Sequence, residues 1–450
     1  MQQQLSREQI AQNILSSWKA SGLKQKLIFT FLAIAFFRFG AQLPIFGINN
    51  EIFQNIAAGN NMIGFLDMFT GGALGKVSIF ALGIGPYITS SIIIQLLAVV
   101  VPYLERLQKE EGGEGRRKIQ QITRQFTVVL GAFQALAFVV ILSKLPGAVI
   151  HTVNPILFNV GAIITLTAGS ILVMWLAELI TEKGVGNGGS LLIFVGIISG
   201  IPVYVKNTAL LVAQDSQKQL GLVALLVIFV ATIITIIVFQ DAARHVPIVS
   251  ARRQVGNKVY SGGNSSIPFK LNPGGVMPII FAMAILLFPT TILGFAQQLN
   301  IQNEGLRQAL ETINLYLSPS GITYYIIYFL LIVFLTFFYS SIMPNMQPKE
   351  IANNLKKYGS AIPGIKPGKP TADKLDEILT KVTFIGAFSL GLIALVPSVS
   401  SAVTGITTFQ GLGSTSLIIM VGVALDFINQ IKTHLYAKNY ESFLQKNNIQ

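Results

Sequence analysis

Ten apolar runs dominate this chain, near Lys26–Phe46, Val77–Val99, Phe126–Lys144, Pro155–Ile180, Ser190–Lys206, Leu220–Gln240, Gly274–Ala296, Ser320–Met343, Val382–Val399 and Leu412–Ile431. Most approach the roughly 20 helical residues that cross a ~30 Å hydrocarbon core. Lipid offers no hydrogen-bond partner, so each run must satisfy its backbone internally, as a helix. With 52% hydrophobic and only 11% charged residues, the composition belongs to membrane proteins. The expected fold is all-α and membrane-embedded, with ten transmembrane helices. The Ser190–Lys206 run is short for a span.

The second run is the irregular one. Asn61–Leu97 is apolar yet broken by Gly64, Gly71, Gly72, Gly75, Gly83, Gly85 and Pro86. Irregular backbone at membrane depth survives only where protein buries it or where it lines a water-filled cavity. The pattern predicts a short folded plug leading into a pore-lining helix. Gly and Pro are also frequent in membrane helices generally, which leaves an ordinary broken span as the alternative.

Met1–Gln25 is polar and the first run has the flanks of a permanent span, so no removable signal is expected. Zero cysteines exclude disulfides and thiolate metal sites, and His151, His245 and His434 lack ligand spacing. Neither a metal nor any other cofactor is expected. If the N-terminus is cytoplasmic, all Lys and Arg except Arg38, Lys76, Lys144, Lys206, Lys218 and Arg307 fall on the cytoplasmic side. This bias places both termini there, and makes the net charge of +13 a property of that face.

Ten spans divide into two fives. Five is odd, so a second half resembling the first is inserted upside down, with the working site near the midplane between the halves. The expected organisation is two inverted, pseudo-symmetric halves around a central hourglass pore. Residues 1–25 form a cytoplasmic amphipathic segment, 26–206 the first half, 207–431 the second and 432–450 a cytoplasmic tail. In the N-terminal segment Ser6 and Gln9 form a capping-box pattern, and Ile10, Ile14, Leu15 and Trp18 share one face.

Ion-coupled transporters need ionisable groups at depth. Here Glu178, Asp241 and Asp426 sit near cytoplasmic span ends, and Arg38, midway along the first run, is the one deeply placed charge. Arg38 is either functional or a structural partner of helix-end carbonyls and neighbouring spans. No His–Asp–Ser set, HExxH motif or phosphate-cradling loop is present. A secondary transporter would need a polar midplane site and an intramembrane enzyme would need catalytic residues at depth, so both classes are disfavoured.

Two long basic loops, 241–273 and 344–381, lie on the cytoplasmic side. The first carries Arg244, Arg252, Arg253, Lys258 and Lys270, with NKVYSGGNSS suggesting a hairpin tip. The second has a helix-like stretch followed by a Gly/Pro-rich turn. Their charge is either solvated positive-inside charge or a docking surface for an RNA-rich ribosome or an acidic motor protein.

Five segments carry a specific resemblance: IFALGIGPYITSSIIIQLL (Ile79–Leu97), KEEGGEGRRKIQQITR (Lys109–Arg124), MWLAELITEKGVGNGGSLLIF (Met174–Phe194), PIIFAMAILLFP (Pro278–Pro289) and NNLKKYGSAIPGIKPG (Asn353–Gly368). They resemble signature segments of the SecY family, the pore subunits of the bacterial protein translocase, and the likeness runs from about Leu23 to Gln445. GFLDMF and the Asn/Gln/Ile-rich style further resemble cyanobacterial and plastid-encoded members.

The resemblance implies a non-enzymatic protein-conducting channel with no catalytic residues, in a bacterial plasma membrane or a thylakoid membrane. It implies a pore ring of Ile84, Ile88, Ile193, Ile280 and Ile419, with Gly189 where an isoleucine is usual. Ile84 and Ile88 are one helical turn apart and share a face, as a ring requires. Branched aliphatics can close around a passing chain without binding it. The resemblance places the plug at 63–75, including Ile63, Gly64, Phe65, Leu66, Met68, Phe69, Gly71 and Gly72. It places a lateral gate near Thr89, Ser91, Gln95 and Asn272, for which ordinary interhelical hydrogen bonding is the alternative.

The implied partner contacts are Arg252, Arg253, Lys258, Lys356, Lys357 and Lys366, the last where arginine is common. Lysine there lacks bidentate geometry. The implied partners are SecE-like and SecG-like small subunits, a SecA-like motor ATPase, the ribosome, signal peptides, unfolded preproteins and membrane lipid.

Overall fold

The computed structural model describes residues 22–50, 53, 67, 70–109, 112–145, 147–150, 154–214, 218–250, 253–255, 258–260, 264–298, 305, 308–309, 312–313, 316, 321–342, 347–404 and 414–447. The N-terminal segment expected to be amphipathic therefore lies outside the described residues up to residue 21.

Every apolar run contains a helix. They are α1 (Leu23–Gly40), α2 (Gly85–Val100) followed by the short α3 (Pro102–Lys109), α4 (Gly112–Lys144), α5 (Pro155–Lys183), α6 (Gly188–Gln214), α7 (Lys218–Asp241), α8 (Met277–Gln298), α9 (Ile322–Ile342), α10 (Pro348–Lys357) between spans, α11 (Lys369–Thr404) and α12 (Ser414–Asn447). Seven of these are long and apolar enough to cross a bilayer by length and composition, and α2 is a shorter apolar helix. The span read as short is in fact one of the longer ones. α6 continues past Lys206 to Gln214 and accommodates Pro202 in its interior.

By contrast the second run gives only a 16-residue helix. Residues 71–84 ahead of it are turns, and Pro86 sits in the first turn of α2, where a missing N–H costs nothing and the fixed φ suits a helix start.

The chain divides into two compact units. One comprises Met1–Leu210, Leu287–Asn314 and Val423–Gln450; the other comprises Leu211–Leu286 and Leu315–Gly422.

In the first unit α1 packs on α5, α4 on α5, and α2 on α3, α4 and α5. The connecting segments have a core of their own, in which Ile45, Ile48, Phe53, Leu74 and Val77 pack with Leu142, Phe158 and Leu166. Their backbone is satisfied by mutual pairing. Ile45 N–H donates to Val77 C=O (3.0 Å), Ile79 N–H to Leu43 C=O (2.9 Å), Asn49 N–H to Ala148 C=O (2.9 Å) and Ile150 N–H to Gly47 C=O (3.0 Å). Gly169 of α5 lies directly on the carbonyl of Ile79, where a β-carbon would overlap it; such small residues allow close approach inside membranes.

In the second unit α11 packs on α7, α9 and α10. Ser340 and Thr383 hydroxyls meet at 3.2 Å between α9 and α11, and Phe329 and Phe388 rings meet edge-on. The two basic loops, read separately from the sequence, form one polar module here. Strands β1 (Ala243–Ser250), β4 (Asn264–Lys270) and β5 (Ser360–Ala361) make an antiparallel sheet in the order β4-β1-β5, and β2 (Arg253–Val255) with β3 (Lys258–Tyr260) forms a separate ribbon. Val246 and Phe269 from one loop pack with Leu355, Ile362, Leu375 and Leu379 from the other.

Leu375 is fully buried in that core. Leu375→Ala is expected to destabilise the module by about 2–5 kcal/mol. Limited proteolysis would then cut within 344–381 markedly faster than in the parent, and an unchanged rate would mean the two loops do not share a cooperative core.

Candidate pore, plug and gate segments

The start of α2 places two of the expected ring residues. Ile84 is the buried N-cap residue, and the Ile88 N–H donates to its carbonyl (3.1 Å), setting Ile88 one turn on and half-buried. Ile193, in α6, is buried in the same unit. Gly189, also in α6, comes directly against this group, because a side chain there would begin 3.4 Å from Ile84 Cδ1 and 3.3 Å from Asn187 Oδ1. Ile280 in α8 and Ile419 in α12 are both buried within the second unit.

Of the expected plug, Ile63, Gly64, Phe65, Leu66, Met68 and Phe69 lie outside the described residues. Its end is well defined. Asp67, Thr70 and Gly75 close a turn on themselves: the Asp67 carboxylate accepts from Gly75 N–H (2.5 Å), Asp67 C=O accepts from Gly72 N–H (2.9 Å) and Thr70 Oγ1 accepts from Leu74 N–H (3.1 Å). Gly71 and Gly72 have φ of 71° and 83°, a left-handed conformation that glycine adopts without steric cost.

Arg38 is placed differently from its sequence reading. α1 ends at Gly40, so Arg38 stands in the last turn and not at mid-span, where the helix dipole favours a cation. Its Nη1 donates to Gly71 C=O (2.6 Å) and to Ser199 Oγ of α6 (3.0 Å). A lone cation in an apolar run flagged this residue in the sequence. Nothing flagged Ser199, which lies 161 positions away.

Among the four expected gate residues, the Thr89 hydroxyl bonds its own helix at Gly85 C=O (3.0 Å), and Gln95 Nε2 donates to Ser91 Oγ (3.0 Å). These are intrahelical bonds on a half-buried face. In the second unit Asn272 is buried. Its Nδ2 donates to Gly275 C=O (2.7 Å) while its Oδ1 has no partner among the described residues. An orphaned buried acceptor of this kind costs about 1–3 kcal/mol.

Of the basic candidates, Arg252 lies outside the described residues, and Arg253 and Lys258 fall in β2 and β3. Lys356 and Lys357 are exposed in the last turn of α10, beside an exposed Tyr358. Lys366 is exposed at the rim of an open groove of about 440 Å³ that includes Val249, Ile362, Pro363 and Pro367. Glu178 is held by α4: Arg124 pairs with it at 2.9 Å and Gln120 donates to it at 3.0 Å. Among the described residues no group of three or more His, Cys, Asp or Glu side chains could hold a metal.

At the polar start of α11, hydrogen bonds from Lys374 and Lys381 hold the exposed Glu377 carboxyl at about 2. A carboxyl lowered in the folded state favours folding above the ordinary range near ~4.3, and that contribution fades as pH falls towards about 2. Full exposure keeps the contribution small. A ¹³C-carboxyl titration in micelles is expected to find Glu377 still ionised at pH ~3.5, and a midpoint in the ordinary range would refute the paired geometry.

These features define a polytopic, all-α membrane protein with a folded, non-helical entry to its second span. The SecY family model matches residues 78–428, and the protein translocase subunit SecY of Synechococcus elongatus is 42% identical over 443 residues, covering 96% of this chain and 97% of that one. The chain belongs to the SecY family. Among solved structures it resembles a SecY whose plug domain is described as stabilising the closed state of the translocation channel and maintaining a membrane seal (TM-score 0.66, 18% identity, covering 92% of this chain and 93% of that one). It also resembles Sec61 in a canine ribosome-channel complex from the endoplasmic reticulum (TM-score 0.62, 16% identity, the same shares covered). The fold is therefore that of the ten-helix translocation channels.

Proposed function

We propose that this chain is the protein-conducting channel of the general secretory pathway, passing unfolded preproteins across the membrane and releasing transmembrane segments sideways into lipid. The observation that carries this is the non-helical segment 71–84, packed and hydrogen-bonded within the first unit and running directly into the short α2 that bears Ile84 and Ile88. A plain bundle of spans has no use for such a segment, whereas a plugged pore does. In this reading residues 63–75 are the plug, and Ile84, Ile88, Ile193, Ile280 and Ile419 form the ring. Gly189 lies against Ile84 without contributing an aliphatic side chain of its own, and Thr89, Ser91, Gln95 and Asn272 make the lateral gate too polar to seal tightly against lipid.

The channel does no chemistry itself. Both termini and the polar module face the cytoplasm or stroma, where Arg252, Arg253, Lys258, Lys356, Lys357 and Lys366 meet a SecA-like motor or the ribosome. A SecE-like subunit clamps the two halves, residues 26–206 and 207–431, with a SecG-like subunit alongside. The membrane is a bacterial plasma membrane or a thylakoid membrane. The basic bias of the loops supports this orientation.

Planar-bilayer conductance tests the reading. The intact chain is expected to conduct little, and deletion of residues 63–75 to raise conductance sharply. Silence of both forms, with the protein shown to be folded, would refute the plugged pore. In the deleted form, Gly189→Ile is expected to reduce ion leak several-fold by adding aliphatic bulk beside Ile84. An unchanged leak would remove position 189 from the ring.

A further inference from the structure

The end of the plug is gripped by the channel wall through one side chain. Arg38 Nη1 carries two hydrogens: one goes to Gly71 C=O (2.6 Å) and the other to Ser199 Oγ (3.0 Å). Ser199 in turn donates to Gly196 C=O (2.7 Å), which fixes the hydroxyl that receives the guanidinium. The grip thus joins the last turn of α1, the middle of α6 and the turn that ends the plug, all in one compact unit. Because Asp67, Thr70 and Gly75 close that turn on itself, holding the single carbonyl of Gly71 holds the whole turn. The site is also built to a tight tolerance. A β-carbon at position 71 would lie 2.7 Å from Arg38 Nη1 and 2.9 Å from Gly196 Cα.

We propose that Arg38, positioned by Ser199, is a latch that keeps the plug seated, and that breaking its bond to the Gly71 carbonyl is a step in opening. The proposal rests on the channel reading above. Both acceptors are neutral oxygens and the Arg38 side chain is only half-buried, so the bonds can be exchanged for water. Water entering an opening pore would therefore compete directly for the guanidinium. The latch would hold firmly while the channel is closed and give way cooperatively as it hydrates. Arg38 and Ser199 are positioning residues here, since neither needs to touch the transported chain.

The test is bilayer conductance of the full chain carrying Arg38→Gln, Ser199→Ala or Gly71→Ala, each also combined with deletion of residues 63–75. Thermal melting in detergent confirms folding, and Ser199→Ala serves should Arg38→Gln fail to fold. Loss of a charged hydrogen bond predicts that Arg38→Gln raises closed-state conductance about tenfold or more. Ser199→Ala and Gly71→Ala should give smaller rises in the same direction, and Arg38→Lys, keeping the charge but not the fork, should recover part of the seal. In the plug-deleted background these substitutions should add nothing further.

If deletion raises conductance while the folded substitutions do not, the latch is wrong and the channel reading survives. A rise that persists undiminished without the plug also overturns the latch, because Arg38 would then be shaping the pore wall. Absence of conductance in the deletion itself overturns the latch together with the reading on which it rests.

Discussion

In a bilayer there is no water to complete a hydrogen bond, and the non-helical segments joining the spans of the first unit are arranged around that fact. The segments after α1, before α2 and after α4 are non-helical, yet residues 43–49 pair with residues 77–79 and 148–150 so that each supplies the other's missing partners. A small apolar core of Ile45, Ile48, Leu74 and Val77 lies beneath them. Irregular backbone is thereby tolerated next to the spans.

The same constraint governs the polar side chains. Hydroxyls on the spans mostly return to their own helices, as Thr89 does to Gly85 C=O and Ser90 to Pro86 C=O (2.7 Å). Arg38, a charge at the end of a helix, is completed by a carbonyl and a hydroxyl. These two acceptors, from segments far apart in the chain, fix where the half-buried guanidinium sits.

Much of this was legible in the sequence. Each of the ten apolar runs contains one of the described helices, and the glycines and proline around residues 71–86 marked the break. The sequence misjudged what depends on distant partners. Arg38 read as mid-span because the apolar run continues to Phe46, but the chain leaves the helix at Gly40 to pair with residues 77–79. Ser190–Lys206 read as short because Lys206 and Asn207 interrupt the hydropathy, although neither interrupts helical hydrogen bonding. The two basic loops gave no sign of a shared core: their apolar positions are few, about 100 residues apart, and meaningful only once β5 pairs with β1.

The sequence by itself determined the medium, the number and order of the spans, the family and the location of the irregular second span. These follow from local hydropathy and from the absolute need to satisfy backbone groups within each segment. Only the tertiary structure decided that Gly189 abuts Ile84, that two loops make one module, and that Arg38 and Ser199 converge on the Gly71 carbonyl. Those are meetings of residues far apart in the chain, set by helix packing at small side chains and by which polar groups find each other where water is absent, and no local pattern encodes them.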